Sequence, residues 1–209
     1  MMVLLILYEA TAINYDTIPA LVMFAFVSSV TPGPNNLMLM ASGANFGFKK
    51  TIPHALGVAI GFTFMVFLVG IGIIQLFDQF PASYNILKFT SVGYLLYLAY
   101  KIARAGAPVE KTGDEPKPFT FIQAALFQWV NPKAWTMALT AISLYAPSQS
   151  LQAVLLVAAI FGVINFPSVS SWVMIGRQMQ TLLTNPARLK AFNISMATLL
   201  VLSLYPVLQ

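Results

Sequence analysis

Cysteine is absent from the 209-residue chain, and histidine occurs once, at position 54. Without cysteine the chain can form no disulfide, no thiolate metal site and no membrane thiol relay. A single histidine also excludes a metal centre built from several imidazoles. The sequence therefore predicts neither a metal ion nor a cofactor.

Charged residues are equally scarce, at 8% of the chain against roughly 25% in an average soluble domain. Hydrophobic residues make up 58% of it, which is more apolar surface than one soluble core of this length buries. Lipid is therefore the expected partner of most side chains. The formal net charge is +5, but no basic cluster interleaved with aromatic residues occurs, so no nucleic-acid partner is predicted.

Six apolar segments are long enough to cross or nearly cross a hydrocarbon layer of roughly 30 Å. They cover residues 19–42, 55–77, 84–100, 119–145, 151–175 and 191–208. The apolar run at residues 1–8 is too short to span, and we predict that residues 1–16 are an interfacial or loosely ordered lead-in. The predicted fold class is an all-α integral membrane protein with six transmembrane helices.

Lysine and arginine are concentrated in alternate connections. They follow the first, third and fifth segments at Lys49 and Lys50; Lys101, Arg104, Lys111 and Lys117; Arg177, Arg188 and Lys190. The connections 78–83 and 146–150 contain neither residue type. Because cytoplasmic connections are enriched in lysine and arginine, both chain termini are predicted to lie outside the cell membrane.

The longest connection, residues 106–118, is rich in proline, glycine and charge and lies near the midpoint of the chain. We interpret it as a flexible cytoplasmic linker between two three-helix halves, residues 17–105 and 119–209. Three segments per half place the second half upside down relative to the first. The sequence thus predicts two inverted repeats.

Prolines interrupt the first helix of each half, so helices 1 and 4 are predicted to be broken. Residues 31–36 (TPGPNN) lie within the first segment and residues 131–133 (NPK) within the fourth. Unwound backbone in a membrane persists where it lines a cavity or binds a ligand, and matched interruptions mark transporter sites. One isolated proline kink would more simply shape helix packing. We predict a midplane substrate site at Pro32, Gly33, Pro34, Asn35, Asn36, Asn131, Pro132 and Lys133.

Lys133 is the one charge deep inside a predicted segment, and no Asp or Glu lies at a similar depth. Its ammonium group either binds a substrate carboxylate or tethers carbonyls freed by the interruptions, and the sequence leaves both open. The asparagines offer donors and acceptors to a zwitterion, and a helix N-terminus after each proline favours its carboxylate. His54, at the start of the second segment, is a candidate proton-coupling group, although an interfacial residue is the simpler interpretation.

Gly57 and Gly61 form a GxxxG pair, which lets helix backbones approach closely. The pair serves either packing within the protein or contact between two copies, so a homo-oligomer stays possible. Asn165 and the serines near it give the fifth segment a polar stretch, for which packing is favoured over lining a pathway.

With these motifs the chain resembles the LysE/RhtB family of bacterial amino-acid exporters, from about residue 15 to its end. The motifs that carry the resemblance are 31–36 (TPGPNN), 41–49 (ASGANFGFK), 55–61 (ALGVAIG) and 127–134 (FQWVNPKA). The resemblance implies export of amino acids or close derivatives across the bacterial inner membrane, driven by the proton motive force. Relatives with TPGPNN resemble exporters of small neutral compounds such as homoserine, threonine, cysteine or O-acetylserine.

Three other functions are alternatives to an exporter. A passive channel needs a continuous polar path, whereas polar residues here concentrate at the two interruptions. An enzyme needs a catalytic constellation, and the chain shows no Ser-His-Asp set or paired carboxylates, so none is predicted. A non-transport membrane subunit has no use for matched interruptions and a lysine within the membrane. The predicted partners are an amino-acid substrate and membrane lipid.

Overall fold

The computed structural model describes residues 15–105, 117–148 and 150–205. All regular structure within these ranges is helical. Most of the predicted lead-in (1–16) and of the predicted linker (106–118) lies outside them, so both assignments stay predictions.

Nine α-helices occur in the described ranges, together with two single turns of 3₁₀ helix. The α-helices are α1 (Ile18–Val30), α2 (Pro34–Phe46), α3 (Phe48–Gly70), α4 (Ile73–Gln79), α5 (Ala82–Arg104), α6 (Phe121–Phe127), α7 (Pro132–Tyr145), α8 (Leu151–Met179) and α9 (Pro186–Leu202). The 3₁₀ turns are Tyr15–Thr17, before α1, and Gln128–Val130, after α6.

Two of these helices, α3 and α8, are long and apolar enough to cross a membrane by length and composition. The first and fourth predicted segments are each divided into shorter helices, because prolines begin α2 and α7. Large apolar side chains are exposed on the long helices, for example Phe89 on α5 and Val163 on α8. An outer surface of this kind suits contact with lipid.

The second predicted segment, 55–77, has different bounds in the structure. Its helix α3 begins earlier, at Phe48, and ends at Gly70. Gly72 then adopts a left-handed conformation (φ 102°), which turns the chain into the short helix α4. Because the apolar run continues unbroken through this turn, apolar length alone did not reveal it.

The chain keeps its direction across each interruption. Along α8, Phe161 packs against Phe24 of α1, and the Trp172 indole reaches Val30 at the end of α1. Further along α8, the backbone of Val173 lies against Gly43 of α2. The chain of α1 and α2 therefore runs in the same direction as α8, with its interruption near the middle of the shared length.

The helices α6 and α7 follow α3 in the same way. Gly57 lies against the Phe121 backbone, Gly61 against Ala125, and Gly70 against Ile142. The GxxxG pair thus packs inside the protein, on α6. At both Gly57 and Gly61 an added Cβ would lie less than 3 Å from the neighbouring helix, so glycine is what permits this close approach.

Candidate functional site

The first interruption leaves backbone carbonyls without their helical donors. α1 ends at Val30 and α2 begins at Pro34, so the ladder of helical hydrogen bonds is broken between them. Pro34 has no N–H group, and the carbonyl of Val30 four residues earlier therefore cannot be satisfied by the helix. Buried carbonyls in a membrane need other donors.

Side chains supply those donors. The Asn36 amide donates to Ser29 O and Thr31 O, both at 2.8 Å. The Trp172 indole N–H of α8 donates to Val30 O at 3.0 Å. The Lys133 ammonium of α7 donates to Thr31 O at 2.6 Å and to Pro32 O at 3.3 Å. Two of the three donor residues come from the second half of the chain.

Gly33 gives the Lys133 side chain its path to these carbonyls. A Cβ added at position 33 would lie 2.6 Å from Lys133 Cδ and 3.2 Å from its Nζ. The backbone of Gly33 is extended (φ −179°), which any residue can adopt. Space for the lysine, rather than backbone freedom, is therefore what glycine provides here.

The N-terminus of α2 carries no side-chain cap. α2 begins at Pro34, so the backbone N–H groups of its first turn belong to Asn35 and Asn36. Free N–H groups and the helix dipole make such a terminus favourable for an anion. By contrast, the Asn131 side chain caps α7 by accepting from Lys133 N at 3.2 Å.

A reciprocal amide pair joins the two interruptions. Asn35 Nδ2 donates to Gln128 Oε1 at 2.8 Å, and Gln128 Nε2 donates to Asn35 Oδ1 at 3.2 Å. Gln128 is fully buried and also donates to Ala124 O at 2.9 Å. Sequence reasoning missed Gln128 and Trp172 as parts of this site, although Gln128 stands only three residues before Asn131.

A small cavity of about 20 Å³ lies where the two interruptions meet. Its lining contains five of the predicted site residues, Gly33, Asn35, Asn36, Asn131 and Lys133; the other lining residues are Ser28, Ser29, Phe62, Ala134, Met137, Asn165 and Val169. We call it the midplane cavity, after the predicted midplane site. The predicted residues Pro32, Pro34 and Pro132 shape the backbone around it without lining it.

Two buried polar side chains of the midplane cavity have spare hydrogen-bonding capacity. Ser29 Oγ has no partner in the described part of the chain. Asn165 of α8 is also buried, and its amide makes no hydrogen bond to another described residue. Unpaired polar groups at such a place are expected to meet water or a ligand. Sequence reasoning assigned Asn165 to packing.

The midplane cavity is small compared with known ligand sites. A volume of about 20 Å³ holds roughly one water molecule, whereas ligand sites typically measure roughly 300–1,000 Å³. A solute the size of an amino acid therefore does not fit this cavity unless the surrounding helices move apart.

His54 lies away from the midplane cavity. Its imidazole is buried near the start of α3 and packs against the Phe119 ring, with 5.2 Å between ring centroids. Both ring nitrogens lack a hydrogen-bond partner among the described residues. The proton-coupling role assigned to His54 stays a prediction. The described residues also contain no group of three or more His, Cys, Asp or Glu side chains that could hold a metal ion.

Comparison with known proteins gives a family and several relatives. The sequence profile described as LysE type translocator matches residues 26–203. Proteins named cysteine/O-acetylserine efflux protein from Escherichia coli (strain K12), Shigella sonnei (strain Ss046) and Shigella flexneri are each 28% identical over 180 residues. That alignment covers 85% of this chain and 90% of each relative. No solved structure matches the chain.

Proposed function

The chain belongs to the LysE type translocator family, and from this membership we propose that it exports small neutral amino acids or their derivatives by alternating access. The names of similar proteins, cysteine/O-acetylserine efflux protein, support small neutral compounds as the proposed substrates. The observation that carries the proposal is the midplane cavity, where a free helix N-terminus, an ammonium group and unpaired polar side chains meet.

The substrate carboxylate binds at the N-terminus of α2. The first-turn N–H groups have no side-chain cap, and Lys133 lies directly over Gly33. A carboxylate there receives hydrogen bonds from backbone N–H groups and from the ammonium, both of which favour negative charge. The hydroxyl of Ser29 adds a donor that has no partner in the described part of the protein.

The substrate side chain and ammonium group face neutral surroundings. No Asp or Glu lines the midplane cavity, and Asn165 offers an uncharged amide oxygen to the substrate ammonium. A cationic side chain such as that of lysine would lack a counter-ion and lose its hydration at a high free-energy cost. Neutral amino acids are therefore favoured over basic ones.

Two inverted three-helix repeats form the transport path. When α1–α2 is exchanged with α6–α7, α3 with α8 and α5 with α9, the most extensive helix pairs keep their pattern. Under this exchange, the contacts of α1 and α2 with α8 correspond to the contacts of α6 and α7 with α3. The α3–α8 and α5–α9 contacts each correspond to themselves. This pattern supports two repeats with a site between them that opens to either side in turn. The lysine and arginine residues of alternate connections support six crossings with both termini outside.

The test is counterflow of radiolabelled O-acetyl-L-serine in inside-out membrane vesicles that contain the full chain. We expect saturable uptake that a protonophore abolishes, trans-stimulation by unlabelled neutral amino acids, and at least tenfold weaker competition by lysine. Flux that stays linear with concentration and shows no counterflow would instead indicate a channel. Absence of transport for every neutral amino acid would reject the proposed substrate class.

The coupled proton has a candidate carrier in His54, the only histidine in the chain. His54→Gln retains hydrogen bonding but cannot take up a proton near neutral pH. If His54 carries the proton, this variant keeps counterflow but loses accumulation driven by a pH gradient. Gradient-driven accumulation at the wild-type level would rule the residue out.

A further inference from the structure

A second cavity lies at the predicted cytoplasmic side of the protein and measures about 560 Å³. Its walls are the end of α2, the start of α3, the end of α5 and residues 117–123, and we call it the vestibule. The volume falls within the range of ligand sites, roughly 300–1,000 Å³. The space between these described residues is large enough for an amino acid, whereas the midplane cavity is not.

Among the described residues that line the vestibule, the charged side chains have one sign. Lys101 and Arg104 of α5 and Lys117 line it, and no Asp or Glu is among its lining residues. A concave surface lined by cations concentrates anions, because low-dielectric walls focus the field into the opening. The vestibule should therefore attract a carboxylate group and repel a cationic side chain.

His54 supports specific binding of a ligand in the vestibule, beyond general attraction of anions by its cations. The imidazole lines the vestibule and is only 2% exposed, yet neither ring nitrogen has a partner among the described residues. A neutral imidazole carries one donor and one acceptor. A buried polar group without a protein partner calls for a ligand or a water molecule in contact with it.

The vestibule and the midplane cavity lie one helical turn apart along α2. Met38 lines the vestibule, while Asn35, three residues earlier, lines the midplane cavity. On the other wall, Gln123 lines the vestibule, and Gln128 further along the chain pairs with Asn35. The Asn35–Gln128 amide pair therefore lies between the two cavities, where a solute leaving the vestibule would next arrive.

We propose that the vestibule is a second binding site, which holds the carboxylate of an amino acid at Lys101 and Arg104, beside His54, before the midplane cavity receives it. This inference rests on the proposed export function. The cations raise the local concentration of carboxylate-bearing solute at the closed inner surface, and the buried imidazole gives that solute a hydrogen-bonding partner.

The test compares two double variants that remove equal charge from the same predicted face. Lys101→Gln with Arg104→Gln neutralises two vestibule cations, whereas Arg188→Gln with Lys190→Gln neutralises two exposed cations that line neither cavity. For O-acetyl-L-serine transport by inside-out vesicles, we expect the vestibule variant to raise KM about tenfold with kcat unchanged. The control variant should stay within twofold of wild type. In right-side-out vesicles, where substrate arrives from the other face, neither variant should change KM.

Other results would overturn the inference in separable ways. Equal KM increases in both double variants would show that only the overall surface charge matters. A vestibule effect that disappears in proteoliposomes of phosphatidylcholine alone would assign the cations to anionic lipid phosphates instead. Wild-type KM in the vestibule variant would rule out a carboxylate site there. Failure of the proposed function is distinct, because wild-type vesicles would then show no saturable transport at all.

A variant of His54 gives an independent check. His54→Phe retains a ring to pack against Phe119 but removes both hydrogen-bonding nitrogens, while His54→Gln retains a donor and an acceptor. In counterflow by inside-out vesicles, which needs no pH gradient, we expect the Phe variant to raise KM and the Gln variant to leave it near wild type. Identical KM values for both variants and wild type would exclude contact between the imidazole and the solute.

Discussion

Replacement of Lys133 by methionine separates the two roles that this lysine can have, substrate ligand and structural tether. Methionine keeps an unbranched side chain over Gly33 and removes the ammonium group. In the protein as it stands, the ammonium satisfies Thr31 O and Pro32 O. Thr31 O keeps its bond from Asn36 after the substitution, so Pro32 O alone loses its donor within the described residues.

The expected effects differ in size between folding and transport. One unsatisfied carbonyl costs about 1–3 kcal/mol, less where water reaches it from the cavity. A hydrogen bond to a charged group is worth about 1.5–3 kcal/mol, so loss of the contact with the substrate carboxylate lowers kcat/KM about 10- to 140-fold. We therefore expect a folded protein with an unfolding temperature lowered by a few degrees and with severely reduced transport.

The assay measures kcat/KM for O-acetyl-L-serine together with inhibition by serinamide, which has no carboxylate. If the ammonium holds the carboxylate, wild type discriminates strongly against serinamide and Lys133→Met discriminates at least tenfold less. Lys88→Met, a lysine of α5 that lines neither cavity, serves as the matched control and should behave as wild type. Unchanged discrimination in Lys133→Met, with lower thermal stability, would refute carboxylate binding and leave the lysine as a tether.

Three further predictions concern the helices around the site. Gly176→Ala would place a Cβ 2.0 Å from Met40 O, so we expect it to lower the free energy of unfolding by about 1–3 kcal/mol through the α2–α8 contact. The control Gly93→Ala, whose Cβ would have nothing within 4 Å, should be neutral or slightly stabilising. Equal unfolding temperatures for the two variants would contradict the packing argument. Trp172→Phe removes the N–H that satisfies Val30 O, so it should lower thermal stability more than Trp129→Phe, whose indole makes no hydrogen bond in the described part of the chain. Ser29→Cys introduces a single thiol into a cysteine-free chain. We expect a membrane-impermeant maleimide, added from the predicted cytoplasmic side, to label this thiol slowly, and at least fivefold faster when Gln128→Ala is added. Equal labelling rates would show that the Asn35–Gln128 amide pair does not close the site.

The positions of the two helix interruptions could be predicted from the sequence because proline and glycine act locally. Pro32 and Pro34 remove two backbone N–H donors on either side of Gly33, and α1 ends close to them. Likewise, the need for partners of Lys133 follows from its depth in an apolar segment alone. The structure brings Gly33 and Lys133 into contact across the two halves.

The partners that satisfy the interruptions could not be predicted in the same way. Trp172 and Gln128 bond to the first interruption through contacts between distant parts of the chain, and no local pattern marks them. The vestibule depends on how α5 is placed relative to α2 and α3, which composition does not determine. The turn at Gly72 was hidden because apolar residues continue on both sides of it.

The exchange of packing partners between the halves has a consequence for how the protein is made. The most extensive helix contacts join elements from opposite halves: α2 with α8, α3 with α8, α5 with α9 and α3 with α6. The first interruption depends on late residues, since Lys133 lies 102 residues after Thr31 and Trp172 lies 142 residues after Val30. While a ribosome completes the chain, the carbonyls of an inserted first half have no side-chain donors from these two residues. A chain that stops after its first half therefore leaves the carbonyls of Val30 and Pro32 without these donors, and the Val30 carbonyl receives its donor only once α8 has been made.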